Sequence, residues 1–260
     1  MTPSCPAPLV ELAVRLVDAA GPVVRRHFRT TLRVDDKADS SPVTIADREA
    51  EAAIRAIIAA EQPGHGIVGE EHGADRADAE YVWVIDPIDG TKAFITGRPL
   101  FGTLVALLHH GRPVLGIIDQ PVTGDRWIGA SGRPTTFNGA EARVRPCPGV
   151  GRAVVNTTSP DLFSPGELAA FRRVADGAKL TMYGGDCYAY GLLAAGFLDL
   201  VIEAGLKLHD FAALLPVVEG AGGIVTDWTG APMNTDPRGR ILAAGDPAVH
   251  AATLRLLADA

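Results

Sequence analysis

The chain has 260 residues, 47% of them hydrophobic and 21% charged, with a formal net charge of −7 at pH 7. That balance is ordinary for a compact protein and leaves room for one or two domains. The acidic sign argues against nucleic acid or an anionic membrane surface as the main partner, because both select basic faces. Cys5, Cys147 and Cys187 lack metal-type spacing, which suggests a reducing compartment without a disulfide framework. No long apolar span is visible, and residues 1–8 have no signal-like character, so the expectation is a cytoplasmic globular protein.

Leu9, Leu12, Leu16, Val17 and Ala20 recur at three-to-four spacing and predict an opening helix. A second helix is expected from about Pro42 to Ala60, with Ile54, Ile57 and Ile58 on its buried face. Strands are expected at Gly66–Gly69 and Tyr81–Ile85. Two more, at Leu100–Leu108 and Val114–Asp119, are joined by a His-His-Gly-Arg-Pro turn. The segment 129–151 is rich in Gly, Pro, Arg and Thr and lacks a sustained period. A boundary near residue 145 is therefore expected, with an α+β half at 1–145 and an α/β half at 146–260. In the second half, strands at Ala153–Val155, Leu180–Tyr183 and Leu198–Glu203 alternate with helices at Pro165–Asp176, Cys187–Gly196 and Asp210–Ala221. Strands at Ile224–Asp227 and Ile241–Ala244 then lead to a helix at Pro247–Ala258. Such alternation predicts an α/β layer.

The segment Trp83-Val84-Ile85-Asp86-Pro87-Ile88-Asp89-Gly90-Thr91 carries the most chemistry. Pro87 removes a ladder donor, so the strand is expected to end at Asp86. Gly90 permits positive φ. Asp86, the Ile88 carbonyl and Asp89 would then converge within one turn as hard oxygen ligands suited to Mg²⁺. The N–H groups of Gly90 and Thr91 would lie beside them, ready for an anion. Read alone, Asp-Pro and Asp-Gly are also ordinary strand and turn punctuation. Glu70 and Glu71 close the preceding strand, where adjacent carboxylates repel unless one meets a cation. Asp47 is either part of this site or a helix-start acid facing the dipole. Asp210 is either a ligand or a helix N-cap.

The set K-x-D-x-S-P-V-T-x-A-D at 37–47, G-E-E at 69–71, W-V-I-D-P-I-D-G-T at 83–91, H-D-F-A-A at 209–213 and E-G-A-G-G at 219–223 resembles the inositol monophosphatase superfamily. The resemblance spans nearly the whole chain. It implies a layered α/β/α/β/α sandwich with the active site between the two halves. It also implies two to three Mg²⁺ per site, with Mn²⁺ a possible substitute, and a homodimer. By position, Glu70, Asp86 and the Ile88 carbonyl resemble the ligands of a first ion. Asp86, Asp89 and Asp210 resemble those of a second, and Glu70 also matches a contact to a third. Thr91, assisted by Asp47, matches the residue that orients and deprotonates the attacking water. Lys37 matches a basic residue near the metals. His209 departs from the pattern, since many relatives carry Trp there.

The stretches T-K-A-F-I-T-G-R-P-L-F-G-T-L at 91–104 and G-G-D-C-Y-A-Y-G-L-L-A-A-G-F-L-D-L-V-I-E at 184–203 resemble the histidinol-phosphate phosphatase branch. L-Histidinol phosphate carries an ammonium and an imidazole, which acidic residues favour. Glu203 matches a contact to the non-phosphate part of the substrate, and Asp186 lies where it could reach the same pocket. Without the resemblance, Asp186 reads as an N-cap and Glu203 as a strand-end surface carboxylate. Asn156 is expected to begin a loop that lines the pocket. Tyr188, Tyr190 and Trp83 read as packing residues, Asp199 as a structural carboxylate, and His72, His109 and His110 as loop residues without a catalytic role. A broad inositol or sugar monophosphatase, using Glu203 but not needing Asp186, is the alternative. A non-catalytic metal or ligand sensor is a third reading, disfavoured because binding alone needs no water-orienting group.

Overall fold

Helix α1 (Ala7–His27) buries Leu9, Leu12, Leu16, Val17, Ala20 and Val24 along one stripe and ends in Arg25, Arg26 and His27, charges that suit the helix C-terminus. A computed structural model gives these coordinates and describes residues 4–31, 33–36, 42–233 and 238–258. Lys37 lies outside the described residues. Strands β1 (Val34–Asp36) and β2 (Pro42–Thr44) pair antiparallel. The second helix, α2, therefore begins later than the sequence suggested, at Ile45, and runs to Glu61. Thr44 sets this start: its Oγ1 accepts from Ala46 N, while Asp47 Oδ2 accepts from Thr44 N, a reciprocal cap that fixes where helix begins.

Strands β3 (Gly66–Gly69), β4 (Gly73–Asp75) and β5 (Tyr81–Asp89) follow, then the short helix α3 (Thr91–Ile95). Strand β5 does not stop at Asp86. Its register against β6 (Gly102–His109) shifts between Asp86 and Asp89, so Pro87 is absorbed in a bulge that lets pairing resume and re-aims the side chains. Strands β7 (Arg112–Gln120), β8 (Asp125–Ala130), β9 (Thr136–Phe137) and β10 (Ala140–Glu141) complete a sheet in the order β10-β9-β8-β7-β6-β5-β3-β4. The β9–β10 hairpin lies in the segment that showed no period. The second sheet contains β11 (Val154–Thr157), β12 (Leu180–Tyr183), β13 (Leu200–Glu203), β14 (Ile224–Thr226) and β15 (Ile241–Ala244), ordered β12-β11-β13-β15-β14. Its helices are α4 (Pro165–Gly177), α5 (Asp186–Ala194), α6 (Leu208–Phe211), α7 (Leu214–Gly220) and α8 (Pro247–Ala258). One helix was expected over 210–221, and two are present. Pro216 has no N–H to continue a helical ladder, but it is tolerated in the first turn of a helix that starts at Leu214.

The layering follows from strand alternation. In β5, Trp83 and Ile85 point into a core with α1 and α2, while Val82 and Val84 point into a core with α5 and α7. In β13, Val201 joins that second core, whereas Leu200 and Ile202 pack with α4 and α8. The fold is thus an α/β/α/β/α sandwich with α5 and α7 between the sheets. Gly116 and Gly129 permit the close approach of α7: a Cβ at either would lie about 2 Å from the carbonyl oxygens of Ala213 and Pro216 respectively. Among the described residues, no helix is long and apolar enough to cross a membrane.

Candidate metal-binding active site

The β5 bulge delivers Asp86 and Asp89 to one end of the large sheet, and α6 brings Asp210 to the same place. Each of these three carboxylates offers an oxygen within 4.8 Å of the others. Local hydrogen bonds hold them. Ile88 N donates to Asp86 Oδ1 at 3.0 Å, and Lys207 N donates to Asp210 Oδ2 at 2.7 Å. Cys187 N, in the first turn of α5, donates to Asp89 Oδ2 at 2.6 Å. Asp210 is therefore a first-turn acid accepting from the residue three before it, not the N-cap itself.

Glu70 is pinned beside them because its N–H donates to Ile85 O at 3.1 Å. The turn after it is held by Glu51, buried on α2, which accepts from Glu71 N at 2.7 Å and His72 N at 3.2 Å. Glu51 was invisible in the sequence reading, since it looks like one more exposed helix acid. Burial pushes the Asp86 carboxyl far above the usual range, and the charges of Glu70, Asp89 and Asp210 push it further. Asp89 is raised by burial and then by Asp186 and Asp210. Burial also raises Asp210, while His209 and Lys207 oppose it. Carboxylates crowded in this way are stabilised by a cation rather than by each other, and the all-oxygen donor set fits a hard divalent ion.

Gly90 has φ +91 and starts α3, where Thr91 Oγ1 donates to Ile88 O at 3.1 Å. Asp47 is fully buried. Its Oδ2 accepts from the Thr44 N–H and hydroxyl, and its Oδ1 has no hydrogen-bond partner among the described residues. Burial raises its pKa, with Glu70 adding to the effect. The structure does not join Thr91 and Asp47 by a hydrogen bond.

A small cleft opens from the acidic cluster and is lined by Asp89, Asp210, Asp186, Glu203, Thr158 and Tyr190, among others. Glu203 ends β13 but is buried rather than a surface carboxylate. It accepts from Thr158 N at 2.9 Å and from Tyr190 OH at 2.8 Å, so Tyr190 does more than pack. Asp186 opens α5 at φ +45, with its N–H donating to Thr158 Oγ1 at 3.1 Å. Burial and the nearby Glu203 raise its pKa to about 7, while Lys92 pulls the other way. Asn156 is not among the lining residues. Its Nδ2 donates to Gly184 O at 2.9 Å, behind the glycine turn that leads to Asp186. Asp199 is structural, bound by Arg145 through Nε at 2.7 Å and Nη2 at 2.6 Å.

Comparison with known proteins sets this site in context. The chain is 52% identical over 251 residues to the bifunctional phosphatase IMPL2, chloroplastic, of Arabidopsis thaliana, covering 93% of this chain and 72% of that protein. It is 35% identical over 238 residues to a histidinol-phosphatase of Chlorobaculum parvum, covering 91% and 92%. A solved inositol monophosphatase from Zymomonas mobilis superposes with a TM-score of 0.88 at 50% identity, covering 95% of this chain and 96% of that one. The inositol monophosphatase family model matches residues 6–260, and the chain belongs to that family.

Proposed function

We propose that this member of a metal-dependent phosphatase family hydrolyses L-histidinol phosphate to L-histidinol and phosphate with Mg²⁺ as cofactor. The observation that carries this reading is the single cleft in which Asp89 and Asp210 share a wall with Asp186 and Glu203. Glu70, Asp86, the Ile88 carbonyl, Asp89 and Asp210 are the residues that would hold two to three ions. When bound there, Mg²⁺ supplies Lewis acidity that neutralises phosphoryl charge and lowers the pKa of nearby water.

The chain's own groups do the rest. The Gly90 and Thr91 amides receive phosphate oxygens. The Thr91 hydroxyl orients the water, and Asp47, whose Oδ1 is buried without a partner among the described residues, is the acceptor for the proton that Thr91 passes on. The water oxygen bonds to phosphorus as the ester P–O bond breaks, and no residue need be phosphorylated. Asp186 and Glu203 pair with the ammonium and imidazole of the substrate. Glu203 keeps acceptor capacity for this, because each of its oxygens receives one internal donor.

Inositol 1-phosphate is the competing substrate, favoured by the 50% identity to a solved inositol monophosphatase. Comparing kcat/KM for the two esters decides between them. Histidinol phosphate should lead by more than about tenfold, as expected where charged pocket groups would otherwise go unpaired. Asp186→Ala and Glu203→Ala should each narrow that gap more than they slow hydrolysis of an unselective aryl phosphate. Equal efficiency on both esters, unchanged by either substitution, would assign the chain to the broad monophosphatases. Full turnover after exhaustive chelation would overturn the metal-dependent chemistry itself.

A further inference from the structure

We propose that Glu80, His109 and His110 form a second metal site, selective for a borderline divalent transition ion such as Zn²⁺. The three residues offer ligand atoms within 4.8 Å of one another. They sit where β5 begins, whereas the acidic cleft lies where it ends. Along β5 (Tyr81–Asp89) the two are separated by roughly 20–30 Å at about 3.3 Å per residue.

Backbone geometry builds the cluster. His109 ends β6 opposite Tyr81, and His110 N donates to Glu80 O at 2.9 Å, so Glu80 and His110 face each other across the last rung. His110 and Gly111 turn the chain with φ +49 and +74, the doubly left-handed geometry in which Asn-Gly is usual. Histidine is among the few side chains that enter this region without large strain.

The His109 ring is positioned before any ion arrives. It stacks on Tyr81 at 4.5 Å and 17°, and Tyr81 stacks on His65 at 5.1 Å and 24°. His65 is fixed in turn, since its Nδ1 accepts from Trp83 Nε1 at 3.1 Å and burial lowers its pKa. A ligand locked by its own packing is what a metal site requires.

His109 Nε2 lies 3.1 Å from Glu80 Oε1, and an exposed ion pair alone would account for that contact at little energetic gain. It does not account for the second imidazole, whose ring centroid is 4.4 Å from that of His109. Two imidazoles and one carboxylate select Zn²⁺, Ni²⁺ or Cu²⁺, while the all-oxygen cleft selects a harder ion. Three protein ligands leave a fourth position for water.

The test uses the full, untagged chain with Mg²⁺ at saturation, titrated with Zn²⁺ by calorimetry. One further equivalent should bind, at least tenfold more weakly in His109→Gln and in His110→Asn. Asn suits the turn, so His110→Asn decides alone should His109→Gln fail to fold. With one equivalent of Cu²⁺, the electron paramagnetic resonance signal should show coupling to two nitrogens in the parent and fewer in each variant. Equal Zn²⁺ binding by parent and variants, or a Cu²⁺ signal without nitrogen coupling, would overturn the proposal.

Discussion

Asp89→Asn should make the metal-free protein more stable while removing its response to Mg²⁺. The side chain keeps an oxygen for Cys187 N, which donates to Asp89 Oδ2 at 2.6 Å, so the local frame survives. What disappears is one negative charge among three carboxylates whose ligand atoms lie within 4.8 Å. Two unit charges at that separation repel by about 3.5 kcal/mol at an effective dielectric constant near 20. Solvent access and partial protonation reduce the gain to about 1–3 kcal/mol, a rise of several degrees in Tm for a chain of this size. The pH dependence has a definite sign. The folded-state pKa values of Asp86, Asp89 and Asp210 are raised, so the folded protein binds protons more tightly than the unfolded chain. Without metal, the stability from these groups is present below their unfolded pKa near 4 and is lost as pH rises through the folded values. Calorimetric scans between pH 5 and 8 in a chelator should show the parent losing stability more steeply than the variant. With Mg²⁺ the parent should gain several degrees and the variant little. A variant less stable than the parent in chelator, or one still stabilised equally by Mg²⁺, would refute the reasoning.

Thr91→Ala should lower kcat at least tenfold with KM little changed, because the role proposed for its hydroxyl is on water rather than on substrate affinity. Steady-state kinetics check this, and a large rise in KM at constant kcat would make Thr91 a phosphate-binding residue only. Gly90→Ala should cost about 1–2 kcal/mol in urea unfolding, since an L-residue must enter the left-handed region at φ +91. Its Cβ would also lie 2.9 Å from Asp186 Cγ, so the proposed preference for histidinol phosphate should fall with stability. Arg145→Ala leaves the buried Asp199 with Val154 N at 2.7 Å but without its guanidinium. The loss should be about 1–3 kcal/mol, reduced from the value for a fully buried pair because the Arg145 side chain is 40% exposed. Denaturant midpoints measure it, and KM for substrate should not move.

What the sequence made legible was what is local. The D-P-I-D-G-T run announces a turn rich in carboxylate and carbonyl oxygens, and the uninterrupted apolar run Val82-Trp83-Val84-Ile85 announces a strand buried on both faces. Resumption of pairing beyond Pro87 was not legible, because a bulge depends on the partner strand as much as on the proline. The start of α2 was readable in principle from Thr44 and Asp47, whose cap outweighs the attraction of Pro42 as a first helical residue. Asn138-Gly139 is a strong hairpin signal, and both residues adopt positive φ. Its flanking strands are only two residues long, too short to show alternation. Burial of Glu203 at a strand end, and its bond to Tyr190, come from α5 lying between two sheets. Assembly of the acidic cluster from β5, α6 and the end of β3 is likewise a tertiary fact. The resemblance to a family supplied those residues before any geometry did.

Chemistry and selectivity are not separable modules in this cleft. Asp186 and Cys187 are neighbours in the first turn of α5. The Cys187 N–H holds Asp89, while the Asp186 carboxyl rests against Gly90. A single helix start therefore sets both a proposed metal ligand and a proposed substrate contact. Asp186 adds its charge to Asp89 and Asp210, so the selectivity wall extends the same repulsive cluster. Cations at the cluster relieve one part of that repulsion. The ammonium of an amino-alcohol phosphate would relieve the part at Asp186, whose charged form burial and Glu203 disfavour, by pairing with that charge. A neutral polyol offers Asp186 hydrogen bonds but no charge. On this account the proposed preference for a cationic substrate would arise from the same electrostatic crowding that suits the cluster to a metal ion.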